Sequence, residues 1–285
     1  MRNIKVCATQ MSCSPDRKET LLKADRLVRK AASEGAQIIL LQELFETPYF
    51  CQTEKYENFS LASTVEDNPA INHFKEVAKE LSVVLPISFY EKAGNVMFNS
   101  LVVIDADGTV MDTYRKTHIP DGHCYEEKFY FSPGDTGFKV WKTKYATIGV
   151  GICWDQWFPE TARSLALLGA ELLFFPTAIG TEPVLPIDSS GHWRRCMQGH
   201  AAANIMPVIA SNRIGTETQD DSSMTFYGQS FIADETGLIV KSASSDKEEV
   251  LVAEFDLDAI AEKRISWGVY RDRRPEMYKG LLRKG

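Results

Sequence analysis

Short apolar runs alternate with amphipathic stretches from one end of the chain to the other. Residues 4–9 read as a strand, and residues 15–32 place Leu21, Ala24, Val28 and Ala31 at steps of three and four, one face of a helix that Gly35 closes. Residues 38–41 form a second strand. After Asn68-Pro69, a helix-start signal, Ile71, Phe74, Val77 or Ala78, and Leu81 repeat the helical spacing, and residues 83–90 return to strand. Residues 99–104 and 110–114 flank Asp105-Ala106-Asp107-Gly108, whose Asp-Gly predicts an antiparallel hairpin. A strand at 146–152, a helix opened by Pro159-Glu160 and ending near Gly169, and a strand at 172–175 make a β-α-β unit. A helix over 192–204 follows, then strands at 208–211, 226–233, 238–241 and 250–255, and a short helix after Asp256. Beyond Trp267 the chain is rich in Arg, Lys and Tyr without a period and reads as an extended arm. Helices alternating with about a dozen strands require more than one sheet. The expectation is an α/β layered sandwich, one domain over 1–285 with an arm at 267–285.

Composition adds exclusions. At 44% hydrophobic and 25% charged residues the chain has material for a packed core, so disorder is excluded. A net charge of −7 lacks the basic footprint of a nucleic-acid binder. No apolar run approaches bilayer length, and the first ten residues lack a signal-peptide core, so no membrane partner and a cytoplasmic location are expected. The cysteines at 7, 13, 51, 124, 153 and 196 contain no C-x-x-C pair, which removes zinc ribbons and thioredoxin-type motifs and leaves reduced, mostly buried thiols.

Familiar motifs fail on inspection. Gly149-Val150-Gly151-Ile152-Cys153-Trp154 starts like a dinucleotide fingerprint but carries Trp where the third glycine belongs. There is no P-loop, no H-E-x-x-H and no G-x-S-x-G, and the five histidines show no metal-ligand spacing. What remains is three reactive side chains, each just past an apolar strand. Cys153 ends the 146–152 strand a few residues before the helix at Pro159, a place where α/β sites collect and where a helix N-terminus favours the thiolate. Glu43 follows the 38–41 strand, and Lys116 follows the 110–114 strand. Singly, a buried thiol and two solvated charges explain them as well. Together, a carboxylate, an ammonium and a thiol at strand ends are the parts of a hydrolase that attacks a carbonyl through sulfur.

Leu41-Gln42-Glu43-Leu44-Phe45, Arg115-Lys116-Thr117-His118 and Gly149-Val150-Gly151-Ile152-Cys153-Trp154-Asp155 resemble, in order and separation, the three catalytic motifs of the nitrilase (carbon-nitrogen hydrolase) superfamily. His118-Ile119-Pro120-Asp121-Gly122, Tyr125 to Phe131, Pro133 to Phe138 and His192-Trp193-Arg194-Arg195 resemble its carbamoylputrescine-hydrolysing branch. The resemblance implies a four-layer αββα sandwich, a homo-oligomer built from dimers, and no metal or organic cofactor. It also implies Glu43 as general base, Lys116 as oxyanion-stabilising cation, Cys153 as nucleophile and Glu127 as a second glutamate orienting the lysine and the substrate nitrogen.

The substrate is then a small urea or amide. N-carbamoyl-D-amino acid hydrolases carry paired arginines after the nucleophile, whereas this chain has Trp154-Asp155-Gln156-Trp157-Phe158. Glu182, past the 172–175 strand, is expected to hold a distal ammonium, with Tyr49, Tyr125, Trp154 and Asp155 along the intervening carbon chain; Trp157 is a further aromatic there. Arg194 and Arg195 weigh the other way, as a carboxylate clamp. The expectation is hydrolysis of N-carbamoylputrescine through an S-carbamoyl intermediate, with β-ureidopropionate or an ω-amide of a dicarboxylic acid behind it. A non-catalytic scaffold or a redox-responsive Cys protein is the alternative from another class.

Overall fold

The computed structural model describes residues 1–181 and 187–284. Its strands and helices are β1 (Asn3–Gln10), α1 (Arg17–Ser33), β2 (Ile38–Leu40), α2 (Pro69–Leu81), β3 (Leu85–Ala93), β4 (Val96–Ile104), β5 (Tyr114–Arg115), the single turn α3 (Glu127–Tyr130), β6 (Val140–Lys142), β7 (Thr147–Val150), α4 (Pro159–Leu167), β8 (Leu172–Pro176), α5 (Ser190–Asn204), β9 (Val208–Ser211), β10 (Ile214–Gln219), β11 (Ser222–Tyr227), β12 (Phe231–Ala233), β13 (Ile239–Ser242), β14 (Glu249–Asp256) and α6 (Leu257–Trp267). Asn68 and Asp256, where the sequence starts two helices, act as caps, Asn68 accepting from the Ile71 N–H and Asp256 from those of Asp258 and Ala259; Asp16 likewise accepts from Lys18.

Two sheets face each other. One runs β14-β1-β2 and continues, through a parallel bridge between Ile38 and Val84, into β3-β4-β5; the other runs β13-β12-β9-β8-β7-β6. Alternation along each strand builds the layers. Along β1, Ile4, Val6 and Ala8 pack toward the second sheet, while Cys7 packs with Ala24 and Val28 of α1. Along β8, Leu172 and Phe174 face the first sheet, while Leu173 and Phe175 pack with Leu165 of α4 and Trp193 and Met197 of α5. Strands sandwiched in this way must be apolar on both faces, which is why the sequence shows continuous runs instead of clean alternation. The result is the four-layer αββα sandwich.

Three readings of the sequence change. The Asp-Gly turn forms, with Gly108 N–H on the Asp105 carbonyl at 2.9 Å, but the return strand is broken. Met111 bonds Val103, whereas Tyr114 pairs with Leu101, so one extra residue is accommodated at 112–113. That bulge moves the following residues to the opposite face and brings Lys116 to its place. The full-length partner of β4 is β3, joined by Gly94-Asn95 with Gly94 at φ 62°. Finally, residues 226–233 are two strands, not one, because Gly228 and Gln229 at φ 58° and 52° break the run; the first half pairs with polar β10, whose Thr and Glu residues hide it from a search for apolar runs.

Candidate active site

Three strand ends deliver Glu43, Lys116 and Cys153 to one place. Glu43 follows β2, Lys116 follows β5 and Cys153 follows β7. Lys116 Nζ lies 2.8 Å from Glu43 Oε1 and 2.6 Å from Glu127 Oε2, and all three side chains are fully buried. The Tyr49 hydroxyl donates to the other Glu127 oxygen at 2.6 Å, and Asn99 Nδ2 donates to Glu43 Oε1 at 2.7 Å. Glu43 Oε2 is buried and, among the described residues, has no hydrogen-bond partner. One oxygen of this carboxylate is thus fixed and the other is open to accept a proton.

The electrostatics follow from burial and pairing. Desolvation pushes the Lys116 ammonium down, but Glu127 and Glu43 outweigh it and hold its pKa well above the usual lysine value. Burial raises the Glu127 carboxyl, which Lys116 opposes and Glu43 reinforces. The Cys153 thiol is pushed well above the usual cysteine range, first by burial and then by Glu43. This corrects the expectation of a thiolate favoured by a helix N-terminus. Cys153 opens a 3-10 turn over Cys153–Trp157, α4 starts only at Pro159, and desolvation beside an acidic group governs the sulfur. A thiol with a raised pKa needs a base to attack a carbonyl, and the open oxygen of Glu43 is the candidate.

The backbone at Cys153 is held in the left-handed region, at φ 40°. Asp155 fixes it. One carboxylate oxygen accepts from the Ile152 N–H at 3.0 Å and the Tyr114 hydroxyl at 2.7 Å; the other accepts the His118 N–H at 3.0 Å and lies 2.7 Å from His118 Nδ1. His118 stacks on Phe158 with ring centroids 3.7 Å apart. Asp155 therefore joins the cysteine turn to the lysine segment. Glycine at 134 is dictated by the same crowding, since a Cβ there would sit 2.1 Å from the Arg115 carbonyl oxygen.

A cavity of about 630 Å³ opens onto Cys153 and Glu127. Tyr125, Trp154 and Trp157 line it, with Asp121, His123 and His192 as its other ionisable lining groups; no Arg or Lys is among the described lining residues. Of the residues expected along the substrate, Tyr125 and Trp154 are on this wall. Asp155 and Tyr49 are not: both are fully buried, Asp155 as the anchor just described and Tyr49 behind Glu127, because each has stronger hydrogen-bond partners inside the protein. Glu182 lies outside the described residues. Arg194 reaches Ser242 at 2.9 Å and lies over Phe231, away from the cavity, and Arg195 does not line it. Asn99 was given no role in the sequence, and Asp121 appeared only within the 118–122 motif. An Asn inside the apolar strand Phe98 to Ile104 was a signal, since a buried amide demands a partner.

A family model described as carbon-nitrogen hydrolase matches residues 5–265. An N-carbamoylputrescine amidase from Solanum tuberosum is 58% identical over 286 residues, covering 99% of this chain and 95% of that protein. A citrullinase from Francisella tularensis is 52% identical over 285 residues, all of both chains. Among solved structures, a carbon-nitrogen hydrolase from Helicobacter pylori G27 superposes with a TM-score of 0.92 at 38% identity, over 99% of each chain.

Proposed function

The chain belongs to the carbon-nitrogen hydrolase family, and we propose that this cysteine-dependent hydrolase cleaves N-carbamoylputrescine to putrescine, carbon dioxide and ammonia. The observation that carries the reading is a cavity with an acidic group, Asp121, and no described Arg or Lys on its wall, opening onto a thiol beside a buried Glu-Lys-Glu cluster. A substrate ending in a carboxylate would lose its hydration there without gaining a guanidinium partner, whereas an ammonium meets Asp121 and aromatic faces.

The geometry supports the following chemistry. As Cys153 Sγ attacks the ureido carbon, its proton passes to the open Glu43 Oε2. Lys116 has three N–H donors, of which the two carboxylates take two; the third is available to the oxyanion, alongside the Trp154 backbone N–H, a stabilisation of about 3 kcal/mol per donor. Glu43 returns the proton to the departing nitrogen and ammonia leaves, with the substrate carbamoyl now on sulfur. Glu43 then takes a proton from water, hydroxide adds to the thioester carbon, and Cys153 departs as the thiol. The carbamic acid released loses carbon dioxide to give the diamine. Glu127, pinned by Tyr49, keeps Lys116 in register.

The Francisella tularensis relative motivates a second reading, citrulline, which shares the ureido group but ends in an amino acid. A panel of N-carbamoylputrescine, citrulline, N-carbamoyl-β-alanine and glutaramate compared by kcat/KM separates them. At least a tenfold preference for the carbamoyl diamine is expected, and preference for any of the others overturns the assignment. The exposed apolar residues Ile265, Trp267, Leu281 and Leu282 support the reading of a homo-oligomer, checked by light scattering.

A further inference from the structure

Glu43 is followed by Leu44 at φ 46°, a left-handed conformation that L-residues other than Asn and Asp rarely adopt. A turn of this kind persists only where its surroundings over-determine it. The group that does so here comes from the far end of the sequence. Arg213, immediately before β10, is fully buried, and its Nη2 donates to the Glu43 carbonyl at 2.9 Å and the Leu44 carbonyl at 2.6 Å. Nη1 donates to the Thr47 carbonyl at 2.9 Å and to Glu217 Oε1 at 3.1 Å. The other Glu217 oxygen accepts the Tyr49 N–H at 2.5 Å, and the Tyr49 hydroxyl holds Glu127. The guanidinium also lies 5.8 Å from the Tyr49 ring centre and 5.6 Å from that of Phe226. One planar cation thus fixes the backbone of the first carboxylate directly and, through Glu217, the backbone of Tyr49, whose hydroxyl holds the second.

We infer that Arg213 is a positioning residue for the Glu43 carboxylate, clamping the 43–44 turn so that Oε1 stays on Lys116 and Oε2 stays free to take the thiol proton. A lysine cannot reproduce the clamp, because it offers a point charge where the turn needs a two-pronged planar donor. The inference rests on Glu43 acting as base, so its test includes that premise and avoids the substrate question.

The rate of Cys153 alkylation by iodoacetamide is measured in four proteins: wild type, Arg213→Lys, Glu43→Gln and the double variant, each checked for fold by circular dichroism. Arg213→Lys is expected to slow alkylation about tenfold, and to lower kcat with little change in KM, while having no further effect in the Glu43→Gln background. An equal slowing in both backgrounds, or none in either, overturns the inference. If Glu43→Gln itself leaves alkylation unchanged, the base assignment has failed as well. Should Arg213→Lys not fold, the same cycle is run on Glu217→Gln, where about a threefold slowing confined to the Glu43 background is expected and an equal slowing in both backgrounds overturns the clamp.

Discussion

Glu43, Lys116 and Glu127 form a fully buried cluster with contacts of 2.6 to 2.8 Å, and of the three Glu127 lines the cavity, so the cluster lies at and beneath its floor; at the mouth Asp121 leaves half its side chain in water, facing Lys128 at 3.7 Å, and Trp154 is 39% exposed. The floor holds two carboxylates against one ammonium in a dry site, where every missing partner would leave a charge without compensation. The mouth can lose a contact to water at little cost. On the function we propose, the floor carries the chemistry and is the costlier region to change, while the mouth carries the choice of substrate and can change by small steps. Relatives bearing two different substrate names, both above half identity to this chain, fit that division.

Substitutions at the two regions are expected to differ in size. Cys153→Ala is expected to fold with an unchanged denaturation midpoint and to lose at least about 10⁴-fold in kcat, read as ammonia release; a loss of less than tenfold would remove the sulfur from the mechanism. Lys116→Met leaves both carboxylates without their cation and should cost about 3–5 kcal/mol in urea denaturation along with activity. Its pH dependence sharpens the point. The folded pKa of Lys116 is raised, so its stabilisation is complete below the unfolded-state value near 10.4 and is lost as pH climbs through the folded value. The gap in urea midpoint between wild type and Lys116→Met should stay constant from about pH 7 to 10 and narrow above it.

Asp155→Asn sits between floor and mouth. An amide nitrogen cannot accept the bonds of one carboxylate oxygen, so donors among Ile152, Tyr114 and His118 are stranded, at about 1–3 kcal/mol in stability and roughly 10–100-fold in kcat. An unchanged kcat would detach this anchor from the nucleophile turn. The smallest effect belongs to Asp121→Asn, expected to raise KM for the carbamoyl diamine about fivefold with kcat preserved, as suits a solvent-exposed ion pair. If KM for citrulline rises equally, Asp121 does not select on charge.

The layers of the fold were legible because their cause is local. Apolar runs of strand length, helical spacing in residues 15–32 and 69–81, and caps at Asn68 and Asp256 appear in the sequence as they appear in space. What escaped was set by partners distant in sequence. The β3–β4 hairpin is a choice between two plausible turns, and the β10–β11 pair is too polar for its period to show. In the site, motif spacing placed Glu43, Lys116 and Cys153, and it could not separate wall from support: Tyr49 and Asp155 look like substrate contacts until their buried partners are known.

The order of residues alone pointed to the three side chains expected to react, since each follows an apolar strand within a motif that resembles the family's, and strand ends of a layered α/β fold converge. Tertiary structure alone decided their surroundings: that burial raises the pKa of the thiol, that one oxygen of Glu43 is saturated and the other open, and that a cation from residue 213 underpins residue 43. Such properties depend on desolvation and on hydrogen bonds between segments up to 170 residues apart, and no local pattern in the chain records either.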